Sequence, residues 1–342
     1  MMSRVCFAFA SNSPTVVILF DLSSHCGSRD ETCSTPMLRP ATDAPHLPVL
    51  IEEAMSFLNP TSAGQYCDAT VGAGGHTRAI LERSSPNGRV IGIDRDAQIL
   101  GMAKQNLEPF GDRVQLVHAR FSEIGSVLEQ TAPIDGCIAD LGVSSVQLDQ
   151  PERGFSFRRP GPLDMRMDQS SGETAAQFLQ RVDEEELARV LQDLGEERFA
   201  RKIAAAVIRS RDSGELTTTG ALSSLVARSV PRREPNKDPA TRVFQALRIA
   251  VNDELGELDR FLRDAPACLR PGGRLVVIAF HSLEDRMVKR RFKALAGKEG
   301  AEPGAPRFRI LTKHVVTASD SERASNPRSR SAKLRAAERL PS

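Results

Sequence analysis

Three glycines, Gly72, Gly74 and Gly75, fall where an apolar run gives way to a helical pattern. Glycine there lets the backbone approach a ligand and leaves the first N–H groups of the helix free to meet it. A tight strand-to-helix turn without a ligand uses the same residues. Two positions separate these readings. Counted from Gly72, the sixth position of a G-x-G-x-x-G pattern is Thr77 rather than glycine, which disfavours a pyrophosphate ligand. Asp94 ends the next apolar run, 19 residues after Gly75. A carboxylate at that place can accept both ribose hydroxyls of an adenosine. Glycine turn plus acid, without the third glycine, suits S-adenosylmethionine better than NAD.

Other residues extend the constellation. Asp68 precedes the turn and has two open roles: meeting a cationic amino group of the ligand, or capping nearby N–H groups. Phe121 can pack on an adenine or serve the core. The run Ile134 to Leu141 ends in Asp140-Leu141-Gly142-Val143-Ser144-Ser145. The exocyclic amine of cytosine is a poor nucleophile, because its lone pair is delocalised into the ring. A carboxylate accepting its N–H favours the charge that develops on transfer, and Asp140 is the candidate. Holding the cofactor or the loop is its alternative role. His281, in Phe280-His281-Ser282-Leu283-Glu284-Asp285-Arg286, can orient a base, take a proton, or be purely structural. No Ser/His/Asp elbow and no metal-ligand spacing is present.

Basic residues cluster in four places. Arg153, Arg158, Arg159 and Arg166 flank Phe155 and Phe157. Arg228, Arg232, Arg233, Lys237 and Arg242 form the second cluster, and Arg286, Lys289, Arg290, Arg291 and Lys293 the third. The tail adds Arg323, Arg328, Arg330, Lys333, Arg335 and Arg339. A single cluster is usually a solvated face; several on one chain favour a nucleic-acid partner. Phe155 and Phe157 can stack on an unpaired base or belong to a helical core. A base modified at its exocyclic amine must leave any stack to reach the cofactor.

The elements that must position these residues alternate. Strands are expected at Gly64 to Thr70, Arg89 to Asp94, Arg113 to Ala119 and Ile134 to Leu141, with helices from about His76 to Arg83 and Asp96 to Leu107. This order argues for an α/β fold with a parallel sheet covered on both faces. Residues 149–240 carry no convincing strand. Leu187, Val190, Leu191 and Leu194 mark one helix face, with Asp183 and Glu186 as its capping box. Phe199, Ile203 and Val207 mark a second helix. Thr218 caps a third, containing Leu222, Leu225 and Val226. An inserted helical domain is expected here. Phe244, Leu247, Val251, Leu255, Leu258 and Leu262 then read as one long helix. Pro271-Gly272-Gly273 ends the approach to a fifth strand, Arg274 to Phe280. Lys293 to Pro306 reads as a loop. Late strands are expected at Phe308 to Leu311 and Ala332 to Ala337.

The chain has 342 residues, 40% hydrophobic and 26% charged, with a net charge of only +2, so a uniformly basic coat is excluded and any RNA contact must be local. Its six cysteines form no CxxC pair, which speaks against a disulfide framework or zinc knuckle and for a reducing cytoplasm. Thr15 to Phe20 is apolar but far short of the ~20 residues that span a membrane. Only Arg4 precedes it as a basic residue and no clear cleavage site follows. Residues 1–36 read as an N-terminal extension, with Met37 as an alternative start.

These motifs resemble a known family. The shared stretches begin with His46-Leu47-Pro48-Val49-Leu50, Asp68-Ala69-Thr70-Val71-Gly72-Ala73-Gly74-Gly75-His76 and Gly92-Ile93-Asp94-Arg95-Asp96. Asp140 to Ser145, Arg153-Gly154-Phe155-Ser156-Phe157 and Gly161 to Asp168 follow. Gly195 to Ala200, Ala240-Thr241-Arg242, Phe244 to Arg248, Phe280 to Arg286 and Asn326-Pro327-Arg328-Ser329-Arg330 complete the set. In this order they resemble the bacterial 16S rRNA cytosine-N4 methyltransferases, the RsmH or MraW family, over residues from about 46 to 340. The resemblance implies a class I, Rossmann-like methyltransferase sheet in two parts, 37–148 and 241–342, around a helical insertion at 149–240 that recognises RNA. It implies N4 methylation of one cytidine at the decoding centre of 16S rRNA, with the small ribosomal subunit as partner. It implies cofactor contacts at Gly74, Gly75, His76, Asp94, Phe121, Asp140 and Gln147.

Four positions depart from the family pattern: Val146 for proline, Pro160 for aspartate, Asp238 for histidine and Val243 for threonine. The intact turn, Asp94 and Asp140 favour an enzyme over an assembly factor that has lost catalysis, and Thr77 disfavours an oxidoreductase. The helical insertion disfavours a small-molecule substrate, whereas the choice of RNA over DNA comes from the resemblance. Monomer and dimer are both compatible with the sequence.

Overall fold

The computed structural model describes residues 48–214, 216–231, 238–298, 300, 304 and 307–341. The extension 1–36, His46, Leu47, Arg232, Arg233 and Lys237 lie outside the described residues.

Seven strands form one sheet: β1 (Gln65–Asp68), β2 (Arg89–Asp94), β3 (Val114–His118), β4 (Ile134–Asp140), β5 (Leu269–Ala279), β6 (Phe308–Ile310) and β7 (Lys333–Arg339). Their order is β3-β2-β1-β4-β5-β7-β6. The first five pair in parallel, and β7 runs antiparallel between β5 and β6. This is the class I arrangement expected from the sequence. The order reverses between β1 and β4, so the crevice at the carboxyl ends of β1, β2 and β4 is the natural ligand site.

The helices are α1 (Ile51–Leu58), α2 (Gly75–Arg83), α3 (Ala97–Asn106), α4 (Ile124–Val127), α5 (Ser145–Asp149), α6 (Ala175–Arg181) and α7 (Glu184–Asp193). They continue with α8 (Ala200–Asp212), α9 (Thr219–Ser229), α10 (Ala240–Asn252), α11 (Glu254–Cys268), α12 (Ser282–Leu295) and α13 (Asp320–Ser325). No helix among the described residues is long and apolar enough to cross a membrane.

Strand residues alternate between two cores, as a sheet covered on both faces requires. Cys67, Ile93, Cys137, Leu275 and Val277 face one core, closed by Leu258, Phe261 and Leu262 of α11 and Val288 and Phe292 of α12. Tyr66, Val90, Ile138, Val276 and Ile278 face the other, closed by Met55 and Leu58 of α1 and Ile80 and Leu81 of α2. Each such side chain contributes about 1.5–3 kcal/mol when fully buried. Cys67, Cys137 and Cys268 are buried free thiols in the first core, acting as small hydrophobes.

A third core lies within the helical stretch, among Phe178, Leu187, Leu191, Ile203, Val207, Leu222 and Val226. Asp183 Oδ1 accepts the Glu186 N–H, the forward half of the expected capping box, and Thr218 Oγ1 accepts the N–H of Ala221. Val243, Phe244 and Leu247 of α10 belong to this core too, so helical packing continues past residue 240.

The structure corrects several local expectations. The stripe from Phe244 to Leu262 belongs to two helices, not one, because Asp253 takes the left-handed conformation, φ 49°, and breaks the chain between α10 and α11. The fifth strand starts at Leu269, and Pro271 to Gly273 form an irregularity inside it, with Gly272 at φ +81°. α12 runs to Leu295, beyond the expected start of a loop at Lys293.

Candidate active site

The glycine turn joins β1 to α2. Gly72 and Gly74 have φ of +54° and +94°, which L side chains rarely adopt. A Cβ on Gly75 would stand 2.9 Å from Pro48, so that position is closed to larger residues by packing. The Gly74 carbonyl accepts the Arg78 N–H and starts the helix.

Asp94, at the end of β2, binds the turn directly. Its Oδ2 accepts the Gly72 N–H at 2.8 Å and its Oδ1 accepts the Asp96 N–H at 2.9 Å. Burial pushes its carboxyl up to about 6 despite those two bonds. Each oxygen keeps a lone pair, so the group can also accept a diol.

Asp68 is wholly buried at the end of β1 and accepts the Thr77 hydroxyl at 2.7 Å and the Thr70 N–H at 3.2 Å. Burial pushes its carboxyl up, against the opposing pull of His76, Thr77 and Thr70. Asp140 ends β4, level with Ile278 of β5, and its N–H is held by Thr70 Oγ1 at 2.7 Å. Asp140 Oδ2 lies 3.4 Å from His76 Nε2, and Oδ1 is buried with no hydrogen-bond partner among the described residues. Three carboxylates thus converge at the carboxyl ends of three neighbouring strands, around one glycine turn.

Gln147 lies one turn further on, in α5. Its Oε1 accepts the Ser144 N–H in a capping box, and its Nε2 donates to Asp96 Oδ2 at 2.8 Å. Asp96 is the hub that sequence reasoning missed. Its Oδ1 caps α3 and its Oδ2 also receives Arg153 Nη2 at 2.7 Å. The available signal was its place as the first residue of a helix, two after Asp94. Phe121 is half-buried and packs edge-to-face on Phe261, with ring centroids 5.4 Å apart.

Arg153 is a correction. It was expected to face RNA, but it is 1% exposed and spends its guanidinium on Asp96 and on the carbonyls of Arg166 and Met167. Phe155 is likewise buried in the helical core, and Phe157 packs edge-to-face on Phe244 with centroids 4.9 Å apart, so both serve packing rather than an open stacking face. Arg166 is paired with Asp164 at 2.8 Å and 3.0 Å. The remaining arginines are more accessible. Arg158 and Arg330 are exposed, and Arg242 is half-buried on α10. Exposed Arg286 meets Glu196 at 3.2 Å, and exposed Arg328 meets Asp149 at 2.8 Å and 2.9 Å.

His281 has a structural place among its open roles. It is the N-cap of α12, and both ring nitrogens turn toward Glu284: Nδ1 accepts that residue's N–H at 3.4 Å, and Nε2 lies 3.1 Å from its Oε1. The ring serves as a cap through Nδ1, while Nε2 makes no hydrogen bond among the described residues. Burial opposes ionisation of Glu284, but His281, Arg248 and the Phe280 N–H outweigh it and hold the carboxyl below the usual range. Glu254 stands nearby, in a bidentate pair with Arg248. The cluster Glu254–His281–Glu284 has a spacing that suits a metal ion. The cap opposes one: Nδ1 accepting an N–H puts the ring proton on Nε2, the atom a metal would need.

The family departures have ordinary places. Val146 and Val243 are buried, and Asp238 Oδ1 accepts the Ala240 N–H before α10. Glu196 accepts the Ser282 hydroxyl at 2.7 Å, which joins the turn after α7 to the start of α12.

Comparison with known proteins agrees with this architecture. The family description "MraW methylase family" matches residues 43–340. A curated relative from Sorangium cellulosum, "Ribosomal RNA small subunit methyltransferase H", is 53% identical over 298 residues, covering 86% of this chain and 91% of the relative. The protein of the same name from Halorhodospira halophila is 49% identical over 325 residues, covering 92% and 99%. The glycine turn, the three strand-end carboxylates and the matched length lead to one assignment: the chain belongs to the MraW methylase family.

Proposed function

We propose that this protein methylates N4 of one cytidine in the decoding centre of 16S rRNA, using S-adenosylmethionine, on the small ribosomal subunit in the cytoplasm. The observation that carries this reading is Asp140 Oδ1, a buried oxygen with no hydrogen-bond partner among the described residues, at the strand end beside the glycine turn. The residues present fit the cofactor. Asp94 would hold the ribose hydroxyls, the backbone of Gly74, Gly75 and His76 the amino-acid end near Asp68, and Phe121 the adenine. Gln147, fixed through Asp96, would close the pocket.

When bound, S-adenosylmethionine supplies an electrophilic methyl group on a sulfonium. Transfer to an exocyclic amine leaves one proton to remove from the nitrogen. Asp140 accepts that N–H, raises the nitrogen's nucleophilicity and takes up the charge that develops there. Buried surroundings strengthen this interaction relative to water. The helical core of residues 149–240, together with α10, forms the RNA-recognising part, with Arg158, Arg242, Arg286, Arg328 and Arg330 meeting phosphates. The names of the curated relatives support rRNA as substrate class.

The test uses small subunits from cells lacking this gene and S-adenosylmethionine carrying a labelled methyl group. Digestion and mass spectrometry then identify the labelled nucleoside. Label in a single N4-methylcytidine is expected. Label on a ring carbon, or on another nucleoside, would overturn the reading.

A further inference from the structure

Asp140 reaches the strand edge with its two oxygens in different situations. Oδ2 lies 3.4 Å from His76 Nε2, while Oδ1 is buried with no hydrogen-bond partner among the described residues. His76 is the second residue of α2, directly after the glycine turn, and is 5% exposed. Neither of its ring nitrogens makes a well-aligned hydrogen bond among the described residues, and the nearest partner is Asp140 Oδ2. A histidine buried for packing alone would satisfy its nitrogens with hydrogen bonds. This ring instead sits in the field of two acids, Asp140 from β4 and Asp68 from β1, and Asp68 in turn acts on Asp94 of β2.

We propose that His76 is a positioning residue for methyl transfer: its imidazolium holds Asp140 Oδ2 and balances the Asp68–Asp140 charge, leaving Oδ1 ionised and free to accept the substrate amine. The proposal rests on the reading of Asp140 given above. Two neighbouring carboxylates do not both stay ionised in a desolvated site unless a cation stands with them. No lysine or arginine is paired with Asp68 or Asp140 among the described residues, which leaves His76 as the side chain that can supply a protein cation there before cofactor binds. Desolvation works against charge on the ring, but the Asp140 contact and the Asp68 charge outweigh it and raise its pKa above the ordinary 6.5. The backbone around the ring serves the cofactor turn, whereas the ring itself serves the acid.

The experiment follows kcat and the KM for S-adenosylmethionine from acid to alkaline pH on unmethylated small subunits. It compares the natural protein with His76→Gln, His76→Leu and Asp140→Asn. Loss of the imidazole takes a positive charge away from the transfer site, so the acid limb of kcat moves up by about one pH unit in both His76 variants. Gln keeps a donor near the Nε2 position and retains about tenfold more of the plateau kcat than Leu. An unmoved acid limb, with only KM raised, would make His76 a cofactor contact and overturn the inference. An Asp140→Asn enzyme with full kcat would overturn the Asp140 reading and this inference with it. An inactive Asp140→Asn beside an unmoved limb would overturn this inference alone. Ring-nitrogen NMR of the natural protein covers the case of misfolded variants. The His76 ring is expected to keep its second proton to higher pH than a free imidazole, and a ring that loses it earlier would contradict the proposal.

Discussion

Arg153 Nη2 lies 2.7 Å from Asp96 Oδ2, with both side chains buried. The same Asp96 oxygen receives Gln147 Nε2, and the Asp96 N–H is bound by Asp94. One ion pair therefore ties the loop that opens the helical part to the carboxylate proposed to hold the ribose.

Removing one partner of a buried pair strands the other charge, and Arg153→Ala is expected to lose about 3–5 kcal/mol of stability. Arg153→Lys keeps the charge but cannot also reach the Arg166 and Met167 carbonyls, so it should recover only part of that loss. Chemical denaturation with and without S-adenosylmethionine measures both effects. Unchanged stability with weaker subunit binding would return Arg153 to the RNA-facing side.

Asp94 gives the pocket a pH dependence. With its folded carboxyl raised to about 6 from an ordinary 3.8, Asp94 takes up a proton on folding between those values. The sign follows: its contribution to stability is present at low pH and is lost as pH rises through about 6. Ribose hydroxyls favour the ionised form, so cofactor affinity should fall as pH drops below 6, by up to about tenfold per pH unit. Calorimetric titration at several pH values checks this, and Asp94→Ala should bind weakly with the dependence gone.

His281→Ala should cost about 1–2 kcal/mol, the worth of a lost helix cap, and leave kcat within about threefold. A general base would instead show a loss of about a hundredfold or more in kcat with stability unchanged. Thermal melts and single-turnover rates on the same preparation distinguish the two.

Exposed arginines should behave as phosphate contacts. Arg158→Ala and Arg330→Ala are each expected to weaken subunit binding and to lower the salt dependence of affinity by about one counterion. Arg328 is paired with Asp149 on an exposed face, where such a pair contributes about 0–1 kcal/mol, so Arg328→Ala should leave stability nearly intact. Filter binding across a salt series reads both the affinity and the slope.

Much of this was legible from residue patterns because it depends on neighbours in the chain. The five parallel strands follow from short apolar runs. The caps at Asp183 and Thr218 follow from donors three residues away. The break at Asp253 was not legible, since one left-handed residue leaves the i, i+3, i+4 stripe nearly intact. The burial of Arg153 was hidden because its partner stands 57 residues away, and an arginine among arginines reads as a surface cluster. His281 stood open between catalysis and structure from its place after a strong strand, and that place makes it the cap of α12. The glycine turn, Asp94 and Asp140 were legible because turn chemistry and strand ends are local.

The central claim is that Asp140 serves the transfer itself more than cofactor binding. Asp140→Asn, compared with Asp94→Ala, tests it directly by measuring S-adenosylmethionine affinity and single-turnover methylation of small subunits for each. The account predicts that Asp140→Asn binds cofactor within about threefold of the natural protein and loses about a hundredfold or more in rate, whereas Asp94→Ala loses binding first. Equal loss of cofactor affinity in both variants, or a full rate with Asp140→Asn, would contradict it.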